Sequence, residues 1–386
     1  MNVITTTADL ATVCTRLAAH PYVTVDTEFM RESTFWPKLC LIQMAGPADE
    51  VIVDPLAPGL DLKPFYDLMA DERVIKVFHA ARQDVEIVQV QAGVIPKPLF
   101  DTQVAAMVCG FGESVSYGTL VKQIANVDID KSSRFTDWAR RPLSQKQLVY
   151  ALGDVTHLRT VYLALSAEIE KAGRTRWLDE ELAVLADPGS YKTLPEDSWR
   201  RLKLKVRGRK SLAALIELAA WRERQAQAQD VPRNRIIRDE AIYDIANQLP
   251  TETSQLAALR TLGDGFARSA RAKDVVEAVK RGLARDPKTL PEPPHSGPLP
   301  PEKLALVDLL RVLLKATAAR HRVAPRLIAA TEDLERIAVE AEPDVPTLRG
   351  WRRDLFGDDA LRLKRGEVAI TVRNGEVMTV PADATR

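Results

Sequence analysis

Cysteine is scarce in this chain: only Cys14, Cys40 and Cys109 occur, far apart and without paired metal-ligand spacing. Scattered thiols of odd number exclude a disulfide framework, argue against a zinc site, and suit free thiols in a reducing compartment. No run approaches about 18 uninterrupted apolar residues, and the start, MNVITTTADL, has no basic stretch leading into an apolar core. The expectation is an unanchored, cytoplasmic protein with no membrane contact. An overall excess of charge is also lacking, since 54 Lys+Arg face 53 Asp+Glu. The balance conceals an asymmetry. Residues 1–189 carry 18 basic against 25 acidic side chains, net −7, which leaves 36 against 28, net +8, for the remainder. Such halves indicate either an acidic catalytic part joined to a basic part that meets a polyanion, or solvated helix faces.

With 386 residues, the chain is long enough for two or three domains. Its first half alternates periods. Residues 22–29 (YVTVDTEF), 38–45 (KLCLIQMA), 50–56 (EVIVDPL) and 74–79 (VIKVFH) read as strands, with a helical stretch over 81–92 and a further element over 99–109. Short early connections predict antiparallel pairing, and the later strand, helix, strand order adds parallel members to a mixed sheet. From Ser144 the pattern is helical, opened by the S-x-x-Q capping box of Ser144 and Gln147. Two runs divide the second half: 187–192 (DPGSYK), and 286–302 (DPKTLPEPPHSGPLPPE) with seven prolines, a semi-rigid linker. Helix-only patterns fill the spaces between, and 368–380 (VAITVRNGEVMTV) predicts a hairpin turning at Asn374-Gly375. The expected domains are 1–189, a basic connector over 190–210, a helical unit over 211–285, the linker over 286–302 and a second helical unit with hairpin over 303–386.

Two acids interrupt the first strand. Asp26 and Glu28 are two residues apart, so they share one face while Val25 and Thr27 take the other. Like charges so placed either face water at a strand edge or need a hard cation such as Mg²⁺ or Mn²⁺. Asp84, in FHAARQDVEI, falls in the first turns of the following helix, near the carboxyl end of the sheet where α/β proteins bind ligands, or else complements that helix's dipole. Asp101 in LFDTQ is placed to cap a helix. Tyr150 and Asp154, four apart in the capped helix, share a face. There the phenol is able to orient a water or take its proton beside a metal held by Asp154, or the two form an ordinary hydrogen-bonded pair.

Taken in order, D-x-E, then Q-D at a helix start, then Y-x-x-x-D in a late helix resemble the tyrosine-bearing branch of the DEDD 3′-to-5′ exonuclease superfamily. The resemblance implies an α/β ribonuclease H-like exonuclease domain. It further implies two divalent metal cations, Mg²⁺ or Mn²⁺, with Asp26, Glu28 and Asp154 binding the ion that activates water and Asp26 bridging to a second ion supported by Asp84. Tyr150 would position or deprotonate the nucleophile. Residues 211–285, with DVPRNRIIRDE, are similar to an HRDC domain, a helical nucleic-acid-binding module, and a weaker likeness of the same kind runs over 303–372. One exonuclease domain followed by two small all-α HRDC-like domains resembles the bacterial ribonuclease D family, across nearly the whole chain. Supporting stretches are DTEFMRESTFWPKLCLIQ and TDWARRPLSQKQLVYALGDV; His157 departs from the Tyr that the family's pattern leads one to expect.

What the resemblance implies is an exoribonuclease that trims the 3′ ends of tRNA precursors and other small RNAs and releases 5′-mononucleotides; a monomer is the expected state. The alternatives are a DNA 3′-5′ exonuclease of the proofreading or helicase-associated type, and a non-catalytic RNA-binding scaffold; the presence of all four acids and Tyr150 argues against the scaffold. For substrate contact the candidates are Phe29, with Phe35 and Trp36, as base stackers or core aromatics. His79 is placed either at the terminal sugar or as a strand-end donor. Lys131, Arg134, Arg140 and Arg141 precede the catalytic helix. Eight cations over 192–210, and Arg233, Arg235 and Arg238 around Pro232, are candidates for phosphate contact.

Overall fold

A computed structural model describes residues 3–130, 132–134, 136–192, 194–203, 205–263, 265–291 and 299–382. Lys131 and residues 292–298 of the Pro-rich stretch lie outside the described residues, as do 383–386. The first part is a six-stranded sheet in the order β1-β4-β3-β2-β5-β6. β1 (Val3–Ile4) leads to α1 (Thr7–Leu17), and β2 (Tyr22–Met30), β3 (Lys38–Ala45) and β4 (Glu50–Val53) then form an antiparallel meander. α2 (Lys63–Ala70), β5 (Ile75–Phe78), α3 (Arg82–Ala92) and β6 (Leu99–Asp101) follow, and β1, β5 and β6 all pair in parallel. The expected mixed sheet is therefore present, with the two-residue β1 as an additional edge. The stretch 99–109 divides into β6 and α4 (Thr102–Val108), because Asp101 caps the helix through the Gln103 N–H at 2.8 Å.

Helices cover both faces of the sheet. Val23 and Val25 on β2 share a core with Leu10, Phe65, Val85 and Val88 from α1, α2 and α3. The opposite face carries α6 (Gln145–Lys171), a 27-residue helix whose start shows the Ser144/Gln147 capping box in full. Before and after it stand α5 (Tyr117–Ala125) and α7 (Thr175–Leu185).

The first helical unit comprises α8 (Gly208–Gln229), α9 (Arg233–Ile236), α10 (Asp239–Gln248), α11 (Thr253–Leu256) and α12 (Ala270–Ala284). α8 and α12 approach closely at Gly282, where a Cβ would stand 2.7 Å from the Ala214 Cα. The segment read as a basic connector is packed structure. A 3-10 helix over Pro195–Arg201 buries Trp199, and Trp199 and Leu202 join the core of this unit. Its cations are partly engaged: Arg200 pairs with Asp197, Arg209 donates to the Pro287 carbonyl, and Lys205 lies over the Tyr243 ring.

The C-terminal unit repeats the order of long, single-turn and medium helix in α13 (Pro301–His321), α14 (Pro325–Ile328) and α15 (Thr331–Val339), of 21, 4 and 9 residues against 22, 4 and 10 in α8, α9 and α10. α16 (Gly350–Arg352) and α17 (Asp358–Lys364) flank a π turn, and β7 (Val368–Arg373) and β8 (Glu376–Pro381) form the expected hairpin. Asn374 and Gly375 have φ of 52° and 82°, the left-handed pair that a two-residue hairpin turn requires. No helix among the described residues is long and apolar enough to cross a membrane.

Candidate active site

β2 places two acids under α6. The Thr24 hydroxyl hydrogen-bonds the Val155 carbonyl of α6 at 2.9 Å, which fixes the even-numbered face of β2 toward that helix. Asp26 and Glu28 stand on the same face by the period-two alternation of a strand. From above, α6 contributes Asp154, and oxygens of the three carboxylates lie within 4.8 Å of one another. Burial raises each acid. Asp26 is held well above the ordinary carboxylate range, with the Asp154 charge adding to it. Glu28 is pushed up to about 10, first by burial and then by Asp26, Asp154 and Asp84. Asp154 rises to about 7, restrained by a hydrogen bond from the Tyr150 hydroxyl and by the Arg134 charge. Three hard oxygen donors in so small a space fit a divalent cation such as Mg²⁺ or Mn²⁺, whose charge relieves the repulsion.

Asp84 arrives from the other layer of the fold. Pairing of β2 with β5 ends at Thr24 opposite Val77, so β2 runs on past the end of β5, and the first turn of α3 lies beside the extension. There Thr27, on the face of β2 turned away from α6, donates from Oγ1 to Asp84 Oδ1 at 2.5 Å. Asp84 is 6% exposed, and burial followed by the Asp26 charge holds it well above the ordinary range. It lines the same cleft as the other acids but stands outside the group of three. The turn that aims it is unusual. Ala80 adopts φ 59°, and the Asp101 carboxylate accepts from the Ala80 N–H at 3.0 Å and the Ala81 N–H at 2.9 Å. Asp101 thus holds the entry of α3 as well as capping α4, a role its position in LFDTQ does not reveal.

The cleft has a volume of about 910 Å³, and Phe29, His79, Tyr117, Arg134, Tyr150 and the four acids line it. Burial and the acids together raise the Tyr150 phenol above its ordinary value, so in the cation-free protein it is a neutral donor to Asp154. Tyr117 was not legible in the sequence: its hydroxyl bonds the Gly153 carbonyl at 2.8 Å, beside Asp154, and only the meeting of α5 with α6 puts it there. His79 packs its ring 5.5 Å from that of Tyr117, with Nδ1 3.0 Å from Thr102 Oγ1; burial lowers its pKa. Of the cations preceding α6, Arg134 lines the cleft, whereas Arg141 is bonded to Asp54 and to the Cys40 carbonyl.

Several proposed substrate contacts lie elsewhere. Phe35 is 4% exposed and belongs to the core of the first helical unit, with Trp36 packed against it. The Asp230 carboxylate accepts from the backbone N–H of both residues, at 3.0 and 2.9 Å. Arg233 stacks its guanidinium 4.6 Å from the centroid of the Phe35 ring and forms a bidentate pair with Glu223, itself 1% exposed. These aromatics and this arginine join domains, and none of them lines the cleft. Arg235 is exposed on the same unit and also stands away from the cleft.

Comparison with known proteins bears on the family and the fold. The family model described as 3′-5′ exonuclease matches residues 1–170, and that described as HRDC domain matches residues 211–279. Ribonuclease D of Nitrobacter hamburgensis is 54% identical over 98% of this chain and 99% of its own length. Ribonuclease D of Granulibacter bethesdensis is 50% identical, over 98% of this chain and 96% of its own length. Among solved structures, that of Escherichia coli RNase D, described as an exoribonuclease involved in structured RNA processing, covers 95% of this chain and 99% of its own, with a TM-score of 0.81 at 28% identity. Likeness of this extent, over the sheet and both helical units alike, means that the chain belongs to the ribonuclease D family.

Proposed function

We propose that the cleft hydrolyses RNA from its 3′ end with two divalent cations, Mg²⁺ or Mn²⁺, acting on 3′-extended tRNA precursors and other small RNAs and releasing 5′-mononucleotides. The observation that carries this reading is the convergence of Asp26, Glu28 and Asp154 to within 4.8 Å. Asp26, Glu28 and Asp154 would hold one cation, and Asp84, reaching the cleft from α3, would support a second together with Asp26. Bound cations supply the Lewis acidity that activates water and stabilises charge on the attacking and leaving oxygens at phosphorus. Tyr150 orients the attacking water through its hydroxyl. Arg134, at the rim of the cleft, offers positive charge to the phosphate, while Phe29 and His79 pack against the terminal nucleoside. The exposed Arg235 contributes to general phosphate affinity on the first helical unit, whereas Arg233 is engaged by Glu223 and Phe35. Buried, unpaired Cys14, Cys40 and Cys109 suit a reducing cytoplasm, where we expect the protein to work as a monomer.

The test is incubation of purified protein with matched 3′-tailed RNA and DNA, in Mg²⁺, Mn²⁺ or chelator, with the products resolved. Cation-dependent release of 5′-mononucleotides from the RNA is expected. Asp26→Asn is expected to abolish it while leaving RNA binding largely intact, and Tyr150→Phe to lower turnover by about 100-fold or more with little change in binding. Preferential digestion of DNA would replace the reading with the DNA exonuclease, and an Asp26→Asn protein of full activity would refute the assignment.

A further inference from the structure

Gln43 is a buried polar side chain to which the chemistry above gives no task. It lies within β3, is 0% exposed, and neither Nε2 nor Oε1 has a hydrogen-bond partner among the described residues. An unpaired buried amide is costly, and native structures hold few of them without a reason. The sheet register identifies its neighbours. Gln43 stands directly opposite Asp26 across the β2–β3 ladder and opposite Ile52 across the β3–β4 ladder. Directly opposed residues share a face, with Cβ atoms about 4.5–5.5 Å apart, so the amide lies beside Asp26 beneath α6 and within reach of its carboxylate. On the same face Leu41, Ile52, Leu148 and Ala151 form one core cluster. An aliphatic side chain would suit such a place better, and Gln43 does not line the cleft, so no direct contact with RNA accounts for it.

Two of the other three acids show what is wanted. Asp84 has the Thr27 hydroxyl and Asp154 has the Tyr150 hydroxyl, each a side-chain donor that fixes the direction in which carboxylate oxygens point. We propose that Gln43 is the positioning residue for Asp26: its Nε2 donates a hydrogen bond to the Asp26 carboxylate in the ionised form that holds a cation. This inference rests on the reading of the cluster as a cation site. A carboxylate that serves two cations must keep both oxygens in set directions, and partners of this kind alter metal affinity or activity by about 10–100-fold.

Two readouts on full-length protein test it: thermal melts in EDTA and over a Mg²⁺ titration without RNA, and the Mg²⁺ dependence of hydrolysis of a 3′-tailed RNA. Gln43→Met is expected to melt in EDTA at or above the wild-type temperature, because the unpaired amide is gone, while the Mg²⁺ needed for half-maximal thermal shift and half-maximal rate rises about 10–100-fold. Gln43→Asn keeps the amide but shortens its reach by one methylene; it is expected to move the Mg²⁺ requirement the same way, and it serves alone if the Met variant does not fold. Variants that keep the wild-type Mg²⁺ response in both readouts overturn the proposal, whether or not they lose stability. A wild-type protein indifferent to Mg²⁺ in both would instead remove the cation reading on which the proposal stands.

Discussion

Glu28 and Asp154 hold protons that a solvated carboxyl would have released. Their ordinary values are 4.5 and 3.8, and in the folded, cation-free protein they rise to about 10 and about 7. Between the two values of each group the native state binds a proton that the unfolded chain has lost, so stability falls as pH climbs through that window. For Asp154 the loss is complete near neutrality, while Glu28 carries it into the alkaline range. A divalent cation binds the ionised forms and must displace these protons, which makes its stabilising effect larger at high pH. Melts in EDTA are therefore expected to drop by several degrees from pH 5.5 to pH 8, and the gain in Tm on adding Mg²⁺ to be greater at pH 8 than at pH 6; an equal gain at both would contradict a proton-loaded cluster. At this scale the sequence was informative where a local period decides direction. The two-residue spacing of Asp26 and Glu28 sets their common face, and the four-residue spacing of Tyr150 and Asp154 sets theirs. That the two pairs meet is a long-range fact, legible only through resemblance to a family. Tyr117, held by the Gly153 carbonyl, and Phe35, taken into another domain's core, follow from contacts that no local pattern encodes.

Elements were legible where their ends carry chemistry. The Ser144 and Gln147 box starts α6, and the Asn374-Gly375 pair turns the hairpin, because both act within three or four residues. The turn between β5 and α3 is different. Its left-handed Ala80 is stabilised from a neighbouring strand by Asp101, which accepts from the N–H groups of Ala80, Ala81 and Gln103. Asp84 is aimed by that turn, so damage there should reach the site through the helix. Asp101→Ala removes three acceptor contacts and is expected to destabilise the protein by about 3 kcal/mol in urea unfolding. Asp101→Asn retains one oxygen and should lose less. In both variants, at temperatures where they remain folded, the Mg²⁺ requirement for hydrolysis is expected to increase; a variant as active at wild-type Mg²⁺ concentrations would show that α3 keeps its aim without this support.

For the whole molecule, the proline-rich stretch reads as a boundary at which a unit is severable, yet packing joins what composition separates. The C-terminal unit shares one core with the exonuclease domain: Met107, Leu178 and Leu182 pack with Leu310, Ile337, Trp351 and Phe356. Polar contacts fix the same face. The Ala324 N–H donates to the Met107 carbonyl at 2.9 Å, Arg174 bonds the carbonyls of Val108 and Arg322, and the Trp177 and Trp351 rings stack at 4.4 Å. The first helical unit is joined differently, by the loop after β2, with Phe35 inserted into its core and Asp230 holding the loop's backbone. The loop is thus anchored at one end by β2, which carries Asp26 and Glu28, and at the other by the first helical unit, so the position of that unit is tied to the strand that brings two acids to the cleft. Cutting the chain after residue 290 therefore removes part of a shared core. It strips cover from α4 and α7 and leaves a contiguous apolar face, which favours self-association. The truncated protein is expected to aggregate or to bind a hydrophobic dye strongly, and to melt well below the full chain, whereas the full chain should show coincident loss of exonuclease and C-terminal structure by different probes. A truncated protein that stays monomeric and melts at the full-length temperature would mean that the shared core contributes little, and that the C-terminal unit is an appendage after all.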